Sequence, residues 1–542
     1  MNRQTLQKEN HKMRRTHNRF IPLLVIALFA LAVWIPCVCL AADVSSLTCA
    51  IVATNDLKLR PLELNQRDAV SVLDIVYEGL FELDDNYQPQ PELAYSYSFV
   101  SDGRRLEVKL RENIKFHNGQ TLTAHDVVAT LDYMYELTGF DSDLNSTVDL
   151  ADRGLYYSTF HSIKSWEATD DLTLLFNLRR TSYGSLYALT FPILPASEVR
   201  NDMPAGTGPF QYDGYEPGSS IWLTANTNWW KRVPNVRNIR AGIYSDADKA
   251  LNAFDTQNVD VAMTRSINAS RYSGSLSSFS LAARTRQLEV LLVNRAHTVF
   301  KSDNNGENLV RQAVAYAINR SELISSIYQG MASVAYTPIP TGTWISNEST
   351  IHDIYDPLMA ASLLDTAGYK MADDGKRYKD GKPFPTLYLL VYDKPGSTVR
   401  TNAANKIKDQ LAAVGIPVTV STKSRDYAIT KLKSGDYSLA LCAFNFDVNP
   451  DPGFTLTSTA SCNYTRYRSD DMNGLLTQLR KSYNMNEYQY VMQLIQDQFE
   501  QDMPYLPLYW RSAALLSRSA FTNARDIREL ELLRGVESFG VN

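Results

Sequence analysis

The sequence predicts an α/β protein built in more than one lobe, and three observations carry the prediction. The chain has 542 residues, more than one hydrophobic core usually serves. Across residues 386–444, strand-like and helix-like periodicities alternate as β-α-β-α-β, which implies parallel strands with right-handed crossovers. Residues 288–294, LEVLLVN, form a continuous apolar run of the kind buried on both faces of a sheet.

Taken in order, residues 48–53 predict the first strand and residues 69–81, AVSVLDIVYEGLF, a helix closed by Gly79. Leu106, Val108 and Leu110 alternate with Glu107 and Lys109, the period of a half-buried strand. Asn118-Gly119 supplies a turn. Thr123 with Asp126 three residues on resembles a capping box, and Val127, Val128, Leu131, Met134 and Tyr135 keep one helical face. Residues 165–178 give two strands around Asp170-Asp171. Gly206 and Gly208 flank Thr207, where close backbone packing is expected. No G-K-[ST] and no helix follow, which excludes a phosphate loop. Trp229 and Trp230 are adjacent, so at most one is expected to face any one surface.

Residues 246–254 read as a helix and 259–262 as a strand. Val310, Ala313, Val314, Ala317 and Ile318 make a helical stripe. Asp356-Pro357 opens a helix that Gly368 ends, with proline and glycine at their favoured termini. Strand 386–392 leads to a helix with Ala404, Ile407, Leu411 and Val414 on one face. Strand 416–420, a helix ending near Gly435 and strand 437–444 follow, and the apolar residues 504–516 form a late strand.

The amino terminus stands apart. Arg3, Lys8, Lys12, Arg14, Arg15 and Arg19 against Glu9 precede residues 20–42, which carry no charge and end in small residues. This is an export signal, either cleaved or kept as a signal anchor, and both place the body outside. Without it the remainder is more acidic than the net −5 of the whole chain, which argues against nucleic acid or anionic membrane as partner. Beyond the leader stand Cys49, Cys442 and Cys462, too few for a disulfide scaffold. A Cys442–Cys462 bridge and two buried thiols are equally open. His117 and His125 read as surface and turn histidines with no third ligand between them. No G-x-S-x-G, H-E-x-x-H or Cys/His arrangement appears, so no catalytic residues, metal ligands or cofactors are expected. Tyrosine is plentiful, 31 against 20 phenylalanines; its apolar body and polar tip suit a wet cleft, and also an ordinary surface.

Residues 109–134, KLRENIKFHNGQTLTAHDVVATLDYM, resemble the marker segment of the extracytoplasmic solute-binding proteins of family 5, the dipeptide- and oligopeptide-binding receptors of ABC importers. The Y-E-G-L at 77–80, the G-T-G-P-F at 206–210 with N-W-W and P-N-V after it, and the P-Y-L-P-L at 504–508 are similar to that family's segments in the expected order. The resemblance implies a two-lobed class II periplasmic-binding-protein fold, with mixed sheets flanked by helices and two hinge strands. It places a signal peptide or signal anchor at 1–42, lobe I with its extra subdomain at 43–288, lobe II at 289–505 and a return to lobe I at 506–542. It implies a monomeric receptor in the periplasm or on the outer face of the cytoplasmic membrane, with residues 20–42 as an anchor if retained. Its partners would be a short peptide and an ABC permease, with relatives that take nickel chelates, haem, opines or oligosaccharides as the alternative.

Ligands of open parallel sheets bind beyond the carboxyl ends of the strands. Arg400 follows one such end, and Asp447 and Asp451 lie in the loop after another. The resemblance gives Arg400 the role of gripping a ligand carboxylate and Asp447 that of holding an ammonium. Asp451 is a ligand candidate and also the turn-forming acid of its loop. Plain alternatives are Asx-turn residues for the two aspartates and a solvated helix-start residue for Arg400. An acid/base pair from Asp447 and Asp451 in an exported hydrolase is the remaining class.

Overall fold

The computed structural model describes residues 45–138, 155–156, 159–272, 278–301, 308–393, 396–522 and 526–541. The predicted leader, residues 1–42, lies outside them. Among the described residues no helix is long and apolar enough to cross a membrane.

One mixed sheet forms the frame. Its strands run in the order Val418–Thr422, Leu387–Val391, Leu439–Asn445, Phe279–Val293, Leu506–Ser517, Val261–Thr264, Ser46–Val52, Asn238–Tyr244, Ser220–Ala225 and Phe210–Glu216, and Ala332–Val334 joins beside Leu506–Ser517. The first three are parallel, as their β-α-β-α-β grammar requires, with helices Val399–Ala413 and Arg425–Ser434 as crossovers. Leu387, Leu389 and Val391 pack on Ala404, Ile407 and Leu411 there.

Two long antiparallel strands, Phe279–Val293 and Leu506–Ser517, run through both halves of the sheet. Residues 279–284 pair with 512–517 on the side of Val261–Thr264, and residues 288–291 with 506–510 on the side of Leu439–Asn445. The ladder between the two long strands breaks between Arg284 and Leu288. The lobes therefore meet at residues 285–287. After Ser517 the chain packs against elements near its start. Glu529 there meets Arg67 and Arg265, and Arg528 and Arg534 donate to the carbonyls of Asp84 and Leu83.

A four-stranded antiparallel sheet, Ala94–Val100, Arg105–Leu110, Thr173–Leu178 and Ile163–Asp170, sits beside the first lobe. Leu106, Val108 and Leu110 point inward as their alternation predicts. Helix Ala124–Thr138 follows, with Asp126 Oδ2 accepting from the Thr123 backbone and hydroxyl at 2.8 and 2.9 Å.

Three expectations change. The helix expected over 69–81 is Arg67–Leu73, because the carbonyls beyond it are drawn into tertiary bonds. The strand expected at 416–420 lies two residues later. Cys49, Cys442 and Cys462 are all free; burial first, then Asp68 and Asp260, pushes the Cys49 thiol up to about 12.

Candidate ligand-binding site

The wall of the cleft begins where the first helix stops. The carbonyls of Ile75 and Val76, which a longer helix would use internally, accept instead from the N–H groups of Phe210 and Gly208 at 3.1 and 3.0 Å. Such close approach requires missing side chains. A Cβ on Gly206 would lie 2.0 Å from the Val76 carbonyl oxygen, and one on Gly208 2.8 Å from that of Ile75. His117 fastens this loop from outside: its Nδ1 accepts from Gly206 N–H at 3.2 Å and its Nε2 donates to Gly208 O at 3.0 Å. Both bonds together need a neutral ring, and burial holds the His117 pKa below its usual value. His117 is thus a structural clasp rather than a surface turn residue, whereas His125 is exposed beside Asp171.

Trp229 and Trp230 converge on one group, contrary to the expectation that they diverge. Their indole N–H groups donate to the two oxygens of Glu78 at 3.0 and 2.9 Å. The reason is local: residues 226–237 run as turns between strands, so the alternation of a strand does not apply. Lys231 completes the group, 2.8 Å from Glu92 and 3.7 Å from both Glu78 and Glu82, with its ammonium over the two indole rings. Burial pushes the Glu92 carboxyl up to about 8 although Lys231 opposes it.

Two cavities of about 160 and about 70 Å³ share the lining residues Leu83, Arg286, Val448 and Glu531 and so form one cleft. It lies where the lobes meet. The N–H of Phe446 bonds to the carbonyl of Arg286 at 2.8 Å, which carries the pairing of the two strands one step past Asn445 and sets Asp447 beside the crossing at 285–287. Asp447 is half-buried in the cleft wall. Its one hydrogen bond among the described residues comes from the next backbone N–H, Val448, at 2.6 Å.

Arg286 faces both cavities. Its backbone N–H donates to Glu529, and its guanidinium makes no hydrogen bond or ion pair among the described residues. Sequence reasoning missed it: in Arg284-Thr285-Arg286-Gln287 it reads as a polar lead-in to the apolar run. The signal available was that the run itself is the lobe crossing.

Arg400 and Asp451 are placed differently. Arg400 is 8% exposed and donates to both oxygens of Glu289, which is fully buried, at 2.9 and 2.8 Å. A third donor goes to the Tyr392 carbonyl at 2.7 Å. Burial works against the Arg400 charge and Glu289 outweighs it, so its pKa rises. Asp451 accepts from Arg480 at 2.8 and 3.2 Å and from Arg180 at 3.4 Å, while its Oδ1 also accepts from Gly453 N–H at 2.7 Å. The structure therefore brings Asp447 and Arg286 to the cleft and occupies Arg400 and Asp451 with protein partners.

The profile of the bacterial extracellular solute-binding proteins, family 5 Middle, matches residues 88–466. The chain belongs to that family. This solute-binding protein is 25% identical over 473 residues to the oligopeptide-binding protein AppA of Bacillus subtilis, covering 82% of each chain. It is 24% identical over 447 residues to di/tripeptide-binding protein 2 of Pseudomonas aeruginosa, covering 77% of this chain and 80% of that one. A solved structure titled as a nickel ABC transporter from Bacillus halodurans matches its fold with a TM-score of 0.76 at 18% identity, over 92% of this chain and 100% of the other. The two-lobed periplasmic-binding-protein fold is common to them. The His117 clasp and the helix opened by Thr123 both fall inside the matched span, as does the Gly206–Gly208 loop.

Proposed function

We propose that this solute-binding protein is the extracytoplasmic receptor of an ABC importer and captures short peptides by closing its lobes over them. The observation that carries this reading is the pairing, in one cleft at the lobe crossing, of two opposite charges left over by the fold: the Asp447 carboxylate and the Arg286 guanidinium. A peptide ends in an ammonium and a carboxylate, and each calls for one of these partners. The names of the two curated relatives, an oligopeptide-binding and a di/tripeptide-binding protein, point the same way. Arg400, bound to Glu289, and Asp451, bound to Arg480, then shape the two loops that carry the site. The lobes are divided at 43–288, 289–505 and 506–542, and the two crossing strands, which run through both halves of the sheet, support a division near these points. Ligand bound to both lobes stabilises the closed state, and a monomer delivers it to a membrane permease. Binding without catalysis fits a family of solute-binding proteins.

Native mass spectrometry of protein purified without denaturation tests the ligand class. Extra mass that fragments into amino acids is the expected result, and a chelate, haem, opine or sugar mass would replace the peptide reading. Asp447→Asn and Arg286→Gln should each weaken binding of that ligand by roughly ten- to a hundredfold, the worth of a charge-assisted hydrogen bond. Unchanged affinity in both variants would remove these residues from the site.

A further inference from the structure

The larger cavity of the cleft has a charge imbalance that the ends of a peptide do not use. Six carboxylates and three cations line it. Five of the carboxylates have cations of their own. Lys231 serves Glu78, Glu82 and Glu92, Arg528 and Arg534 serve Glu531, and Arg232 serves Glu537. Asp74 has neither a hydrogen bond nor an ion pair to its carboxylate among the described residues. It stands directly after helix Arg67–Leu73, at the negative end of the helix dipole, where an anion is disfavoured. The cations that act on it, Arg528 and Arg534, do so from a distance and are bound to Glu531.

Asp74 nonetheless keeps its surface open, and it lines the larger cavity of the cleft. Burial, with Glu531 and Glu92, pushes its carboxyl well above the usual range against the pull of Arg528 and Arg534. The wall near it includes the Tyr156 ring, and an aromatic face attracts cations. The adjoining smaller cavity gives an independent sign that the cleft is built for a ligand. Trp510 in its wall is 2% exposed, and its indole N–H has no acceptor among the described residues. Such a buried donor costs stability unless something bound accepts from it. A metal ion does not fit, because no three His, Cys, Asp or Glu side chains converge on a metal site among the described residues.

We infer that the larger cavity is a subsite for a cationic side chain of the ligand, with Asp74 as its anchor, so that lysine- or arginine-containing peptides are the preferred ligands. The subsite rests on the peptide reading above for the nature of the ligand, and on the unpaired Asp74 for its charge. Its volume, roughly ten water positions, takes the end of a long side chain with some of its hydration. The cation supplies the partner that the fold withholds from Asp74.

Calorimetric titration of the purified protein with the tripeptide Ala-Lys-Ala and with its norleucine counterpart tests the subsite. The lysyl peptide should bind about tenfold or more tighter, and Asp74→Asn should bring it down to the level of the neutral peptide. Equal affinities in the native protein, or a preference that survives Asp74→Asn, would overturn the subsite and leave the peptide reading standing. If neither peptide binds, thermal shift with 1,5-diaminopentane against 1-pentanol separates the two ideas. A rise with the diamine that Asp74→Asn abolishes supports the subsite and no rise overturns it, while the native mass spectrum decides the peptide reading.

Discussion

Glu92 holds its proton more tightly in the folded protein than in the unfolded chain. Burial raises its carboxyl to about 8 from an ordinary 4.5, with Lys231 opposing and Glu78 and Glu82 adding to the rise. A carboxyl shifted upward contributes stability below its unfolded pKa and loses it as pH climbs through the folded one. Stability should therefore fall between about pH 4.5 and pH 8. Lys231, raised above 10.5, stays charged throughout that window and adds no slope. His117 slopes the other way, since its depressed pKa favours the fold at higher pH. The difference in melting temperature between native protein and Glu92→Gln isolates the Glu92 share: it should narrow steadily from pH 8 to pH 5, and a constant difference would contradict the assignment. At this scale Asp447 was legible in the sequence, because a loop after a parallel strand is where ligands gather. Arg286 was not, because periodicity marks the crossing strand but not the point where its register breaks. Asp74 was hidden inside what periodicity reads as a helix.

Elements were most legible where local chemistry and tertiary demand agree. The strand Arg105–Leu110, the turn at Gly119 and the caps at Asp126, Asp356 and Gly435 all lie where alternation, glycine and side-chain acceptors put them. The helix Arg67–Leu73 shows the opposite case. Residues 74–80 have helical spacing, yet their carbonyls are taken by Gly208, Phe210, Ile193 and Leu93, and tertiary bonds override propensity. The same contact makes Gly206 irreplaceable. A methyl group 2.0 Å from the Val76 oxygen also lies 2.9 Å from the Val76 carbonyl carbon and from the Tyr77 ring, and the nearest of these atoms is backbone, which cannot swing aside. Gly206→Ala should cost about 3 kcal/mol or more, the upper range for overpacking, read as a shift in urea midpoint without a change in slope. A loss below about 1 kcal/mol would mean that the loop yields.

Across the whole molecule, the two sides of the cleft also meet through an aromatic cluster at the edge of the smaller cavity. Tyr183 and Tyr187, which precede the crossing strands, meet Trp344 and Tyr488, which lie between them. Ring centroids are 5.5 Å apart for Tyr183 and Trp344, 5.9 Å for Tyr183 and Tyr488, and 6.0 Å for Trp344 and Tyr488. The Trp344 indole N–H donates to Tyr187 Oη at 2.9 Å. Contacts that hold lobes together favour the closed state before ligand arrives, and their loss lowers apparent affinity by the fall in closed population. With each ring pair worth about 1 kcal/mol, Trp344→Ala should weaken ligand binding about tenfold and raise the radius of gyration of the free protein in small-angle scattering. An unchanged radius with unchanged affinity would show that the clasp does not govern closure. Length and the apolar run at 288–294 announced two lobes, but not this clasp, whose partners lie more than 150 residues apart in the sequence. The packing of these late residues against elements near the start has one more consequence. Val261–Thr264 gains its neighbour Leu506–Ser517, and Arg67 gains Glu529, only once the chain has been made that far. Domains ordinarily fold as they leave the ribosome, but this one is left unfinished until residues 506–529 exist. In a family of extracellular proteins, a chain that closes its main sheet so late stays unlocked over most of its length until then.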